Sequence, residues 1–132
     1  MKIPVLTLDT PNANNRIYPT EVIEKALEKY RKEFINENRA MVVKQLPENS
    51  TLDLRDVIGV VKDATIENGK IMLDVEFLPQ LKGAIAAEIG IRDGKFALRT
   101  SGVGTLKTNA NGNNVIQDDY EIISCFVTDQ PA

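Results

Sequence analysis

The run Asn68-Gly69-Lys70-Ile71-Met72-Leu73-Asp74-Val75-Glu76-Phe77-Leu78 decides the fold. Asn-Gly is the dipeptide favoured by a two-residue hairpin turn in which both central residues need positive φ. After it, Ile71, Leu73, Val75 and Phe77 alternate with Lys70, Met72, Asp74 and Glu76, the period of a strand with one buried face. The preceding run, Leu52 to Ile66, is mostly extended in character and supplies the antiparallel partner. Gly59 within it predicts a bend or bulge. The centre of the chain is therefore a long β-hairpin.

Upstream of the hairpin, Lys2 to Leu8 reads as a strand and 9–15 as an Asn-rich loop. Pro19 to Asn36 reads as a helix. Pro suits a first helical position, Glu21 suits the N-terminal dipole, and Val22, Ile23, Ala26, Leu27, Tyr30 and Phe34 share one face. Glu21/Lys25, Glu28/Lys32 and Lys29/Glu33 are candidate i,i+4 pairs on the other face. Ala40 to Lys44 reads as a strand and Leu46 to Thr51 as a loop.

Downstream, Pro79 opens a shorter helix with Leu81, Ala84, Ile85 and Ile89 as its apolar stripe. Gly83 weakens that helix by about 1 kcal/mol relative to Ala, and Gly90 is a C-terminal stop. Asp93-Gly94 is a hairpin signal leading into 95–106. If Phe96 and Leu98 point inward, Thr100 follows them while Arg99 and Ser101 face out. Gly102 and Gly104 mark a bulge or a close backbone approach. The 109–114 run is a turn. Asp119 to Val127 is apolar on both faces and so covered on both. Helices inserted among antiparallel strands, with about three strands after the second helix, give an α+β fold: a β-barrel or bent sheet with two packed helices. A length of 132 residues fits a single domain over 1–132.

Composition excludes several function classes. Sixteen Lys+Arg against nineteen Asp+Glu leave a net charge of -3, so no basic excess points to nucleic acid. No apolar run reaches membrane-spanning length and no signal-peptide core follows Met1, so neither a membrane role nor export is expected. Histidine is absent altogether. A Ser-His or Cys-His nucleophile and a His-containing metal site are thereby excluded. Cys125, the single cysteine, reads as a small buried hydrophobe.

Thr100 and Ser101 are the hydroxyls beside the glycine-flanked bend. As nucleophiles they need a base, which here would be Lys44, Lys95 or Lys107 with its pKa lowered by burial. As structural residues they are ordinary strand positions at a bend. Asp118-Asp119 and the Asp53/Asp56 pair could hold a metal or do acid–base work. Beside turns, such carboxylates more often cap or solvate. No cofactor is expected.

Asn14-Asn15-Arg16-Ile17-Tyr18-Pro19, followed by Val22, Ile23 and Ala26, resembles the opening of the T4-like phage prohead core proteases. Pro47-Glu48-Asn49-Ser50, the run 52–61, the Ala97–Leu106 segment and the closing 127–132 resemble that family's later blocks in the same order. The resemblance implies the herpesvirus-assemblin-like fold, a β-barrel surrounded by helices. It also implies a family that cuts scaffold and capsid proteins during head maturation with a serine and a histidine.

Against that pattern, Leu46 and Gly59 stand where the family has histidines. Aligning Gly102-Val103-Gly104 puts Arg99 at the nucleophile and Ser101 at the family arginine, and a slip of one residue puts Thr100 at the nucleophile. Loss of one member of such a unit forfeits most of its catalysis. The expectation is a degenerate member that does not cut: an auxiliary, decoration or prohead-associated head protein of the virion, made in the host cytoplasm. It would bind capsid or other virion proteins as part of a larger assembly. The alternatives are a maturation protease using Ser/Thr with a Lys base, and a soluble adaptor or inhibitor of the phage protease.

Overall fold

A computed structural model describes residues 1–46 and 53–129. Apart from Leu46, the expected 46–51 loop lies outside the described residues, as do Leu52 and the last three residues. The strands are β1 (Lys2–Thr7), β2 (Arg16–Ile17), β3 (Met41–Val43), β4 (Val57–Glu67), β5 (Lys70–Phe77), β6 (Ala97–Val103), β7 (Leu106–Thr108), β8 (Asn114–Ile116) and β9 (Glu121–Thr128). The helices are α1 (Thr20–Tyr30) and α2 (Ala84–Arg92).

The expected hairpin is β4–β5. Asn68 and Gly69 take φ of 53° and 73°, the left-handed pair that the two-residue turn requires. Ile71, Leu73, Val75 and Phe77 are all buried. Around this hairpin a six-stranded sheet forms in the order β1-β5-β4-β3-β9-β6. Only β3 and β9 run parallel within it. The edge strands β1 and β6 come into contact, so the sheet curls almost into a barrel. A second sheet, β2-β8-β7, lies at one end.

Helix α1 closes the core with Val22, Ile23, Ala26, Leu27 and Tyr30, each burial of a large aliphatic contributing about 1.5–3 kcal/mol. Pro19 is its N-cap rather than its first residue. The Asp9 carboxylate accepts hydrogen bonds from Thr20 N at 2.8 Å and Thr20 Oγ1 at 2.5 Å, satisfying an otherwise orphaned amide.

The helical run covers 20–35, close to the expected 19–36, but it is not α throughout. At Tyr30 it passes into a π-turn, Arg31–Ile35. Against this turn lies β4, whose register shifts between Val61 and Asp63, just before the Ala64 carbonyl. Arg31 Nε and Nη2 donate to that oxygen at 2.9 and 2.8 Å. Glu28/Lys32 forms as expected, but Lys25 and Lys29 turn instead to Asp118 and Glu121 across the fold. The expected irregularity lies directly beside Gly59, where Ile58 is an extra residue of β4 between the Gly59–Val42 and Val57–Val43 pairs. A second falls at Val61/Asp63.

The second helix departs most from expectation. Pro79 does not open it. Gly83 caps it in the left-handed region at φ 89°, so the expected helix-interior penalty does not arise. Its buried face is Ala84, Ala87 and Gly90, whereas Ile85 and Ile89 are 56% and 51% exposed. Small residues let the helix lie close to the sheet, and that close approach outweighs the burial of two isoleucines. Asp93-Gly94 ends this helix instead of turning a hairpin, with Gly94 N and Lys95 N donating to the Ile91 and Gly90 carbonyls. Phe96 is 42% exposed and lies against Gly90 rather than pointing into the core. Four strands follow, not about three.

At Gly90 the nearest atoms an added Cβ would meet belong to the Phe96 ring, at 2.1 Å and beyond. A half-exposed side chain can swing away, and alanine gains up to about 1 kcal/mol of helix propensity. Gly90→Ala is therefore expected to leave the unfolding free energy from urea denaturation within about 1 kcal/mol of the parent while Phe96 becomes more exposed.

Candidate functional site

Strand β6 pairs with β9 in a register that fixes the surroundings of the candidate nucleophiles. Arg99 opposes Phe126, Thr100 opposes Cys125 and Ser101 opposes Ser124. Cys125 is fully buried as expected, and burial pushes its thiol pKa up. Ser101 Oγ and Ser124 Oγ hydrogen-bond to each other. The Arg99 guanidinium lies 6.0 Å from the centre of the Phe126 ring. The expected bulge occurs between Ser101 and Gly102.

Beside this bulge lies a cleft of about 1030 Å³. Four of the five residues singled out in the sequence line it: Leu46, Arg99, Thr100 and Ser101. Gly59 does not. The pairing register runs Gly59–Val42–Cys125–Thr100 across β4, β3, β9 and β6, so Gly59 shares a row with Thr100 three strands away. At strand spacing that is about 14 Å.

Of the three candidate lysines, Lys44 lines the cleft and its Nζ donates to the Lys82 carbonyl at 3.5 Å. Lys95 and Lys107 are exposed and do not line it. Ala86 and Ala87 of α2 form part of one wall, and Leu106 and Ile116 contribute from the small sheet.

The acidic pairs have local work. Asp53 accepts from Arg55 N and from the Arg55 guanidinium, which holds its carboxyl below the usual range. Asp119 accepts from Thr105 Oγ1 at 2.6 Å and Thr105 N at 2.9 Å. These bonds, the hydroxyl first, hold the Asp119 carboxyl below the usual range and fix the turn after β6. Thr20 acts in the same way on Asp9. Among the described residues no group of three or more His, Cys, Asp or Glu is placed to hold a metal ion.

A group whose folded-state pKa is depressed contributes stability that is present above its unfolded pKa, near 4, and lost as pH falls through the folded value. Acid should therefore loosen the 103–105 rim and the Asp9–Thr20 contact together. The thermal midpoint is expected to fall between pH 5 and pH 3. Asp119→Asn should show a smaller fall over the same range in a melting series.

Sequence reasoning did not single out Arg16, Tyr18 and Tyr120 as site residues, and all three line the cleft. The rings of Tyr18 and Tyr120 meet edge to face at 5.8 Å and 74°. The available signal was the Asn14–Pro19 motif, since β2 takes Arg16 and Ile17 from it and pairs with β8.

The whole fold is that of a solved phage protease. The structure of the bacteriophage T4 capsid assembly protease superposes with a TM-score of 0.83 over 96% of this chain and 79% of that one, at 18% identity. No family profile and no curated protein matches the chain. The resemblance noted in the sequence thus holds at the level of the fold.

Proposed function

We propose that the chain is a non-catalytic protein of a phage head, using a protease fold for binding. It would act as an auxiliary, decoration or prohead-associated capsid protein, held in the virion by contacts with capsid or other virion chains. One observation carries the reading: a histidine-free sequence has the fold of a capsid assembly protease. The mutual Ser101–Ser124 hydrogen bond supports it, because it gives the Ser101 hydroxyl a hydroxyl rather than a base as partner. Quantitative mass spectrometry of purified virions tests it. Many copies per particle are expected, whereas near absence would favour a soluble adaptor or inhibitor of the phage protease.

A second reading has its own observation: Lys44 shares the cleft with Thr100 and Ser101. A fluorophosphonate probe separates the two. Labelling that Ser101→Ala or Thr100→Ala abolishes would establish a Ser/Thr–Lys protease and overturn the non-catalytic reading.

A further inference from the structure

We propose that Arg16, Tyr18 and Tyr120 form a carboxylate-binding corner of the cleft. This deepens, and rests on, the reading of the cleft as a binding surface.

Tyr18 and Tyr120 are each only 8% exposed and both line the cleft. Neither hydroxyl has a hydrogen-bond partner among the described residues. Arg16 lines the cleft as well. Among the described residues its Nε is buried without a partner, and no side-chain hydrogen bond or ion pair occupies the guanidinium. Burial raises the Tyr120 phenol pKa, with Tyr18 adding to the effect and the Arg16 charge opposing it, so the three groups sense one another. Buried polar groups are normally paired, so the orphaned Arg16 Nε calls for a partner, and the two phenols that line the same cleft can donate to it too.

Among the described residues no carboxylate is seen paired with this corner. The three acidic residues around Tyr120 are engaged elsewhere: Asp118 with Lys25, Asp119 with Thr105, and Glu121 with Lys29. Asn12 Oδ1 accepts from the Arg16 backbone amide. Asp129 also lines the cleft but lies at the far end of β9, about 30 Å along an extended strand from Tyr120. A guanidinium offers only donors, and each phenol can donate one hydrogen. The complement is an acceptor-only planar group, an ionised carboxylate, which pairs well with arginine. The apolar walls formed by Leu106 and Ile116 suit a carboxylate borne on a polypeptide, from an acidic side chain or a chain terminus.

The test follows the Arg Nε–H signals by NMR while three probes are titrated into the full chain. One is an acetylated, amidated pentapeptide with a central glutamate in alanine. The second is acetyl-pentaalanine with a free carboxylate, and the third is its neutral amide. A saturable shift of the Arg16 Nε–H is expected with one or both acidic probes and not with the neutral one. Which acidic probe binds tells side chain from terminus.

Tyr18→Phe and Tyr120→Phe keep the ring and remove one donor, so each should weaken binding roughly tenfold. Arg16→Gln should abolish it. Equal shifts with the neutral peptide, no saturation, or binding of inorganic phosphate alone would each overturn the proposal. Absent titration with a high virion copy number would remove this site and leave the head-protein reading standing. Fluorophosphonate labelling would do the reverse.

Discussion

Gly59→Ala is expected to destabilise the protein by about 3 kcal/mol, lowering the thermal midpoint by roughly 10 °C. A Cβ at this position would sit 2.7 Å from the Glu76 carbonyl oxygen and 3.3 Å from Phe77 Cα. Both atoms belong to the backbone of β5, so no side chain can rotate out of the way. Strand β4 is held between β3 and β5, and its neighbour Ile58 is fully buried. Relief therefore requires β4 and β5 to part along their ladder. Urea denaturation of the variant beside Gly90→Ala checks this, because the clash at Gly90 is with a movable ring. A loss below about 1 kcal/mol would contradict the close approach of the two strands. The same contact bears on the family resemblance, which puts a histidine at Gly59. A position with no room for a β-carbon has none for an imidazole, so Gly59→His is expected to unfold the barrel rather than supply a base.

Local chemistry made some elements legible. Asn68-Gly69 names its own turn, the alternation after it names a strand, and the α1 face is buried as its periodicity indicated. These features are set within a few residues. The face of α2 was not legible, because hydropathy ranks Ile85 and Ile89 above Ala84, Ala87 and Gly90. Distance between helix and sheet decided the matter, and small residues won. Lys25 and Lys29 depart from the i,i+4 pattern for a similar reason: partners one turn away lose to Asp118 and Glu121 elsewhere in the fold. The cleft draws on Arg16, Lys44, Ala86, Ser101 and Tyr120, brought together by the parallel pairing of β3 with β9. No local pattern announces such a pairing. Ser101 and its glycines marked the place, but the tyrosines completing it read only as strand and loop residues.

Gly102→Ala is expected to cost about 2–3 kcal/mol and to disturb the cleft wall around Tyr120 as well. The bulge after Ser101 brings β6 so close to the start of β9 that an added Cβ would lie 2.4 Å from Tyr120 Cζ and Oη. It would also lie 2.6 Å from the Glu121 carbonyl oxygen. The ring can turn aside, but the carbonyl cannot. Part of the cost is therefore backbone strain and part is the loss of the Tyr18–Tyr120 edge contact. Tyrosine makes the second part visible, because the chain has three tyrosines and no tryptophan. Near-UV circular dichroism of Gly102→Ala should change at the tyrosine band while the far-UV spectrum is retained. Contacting residues do not add, so a double-mutant cycle with Tyr120→Ala separates the parts. Truncating Tyr120 should cost less in the Gly102→Ala background than in the parent, because the ring has already been displaced there. Full additivity would mean that the glycine serves the backbone alone and that Tyr120 is held in place by its other neighbours.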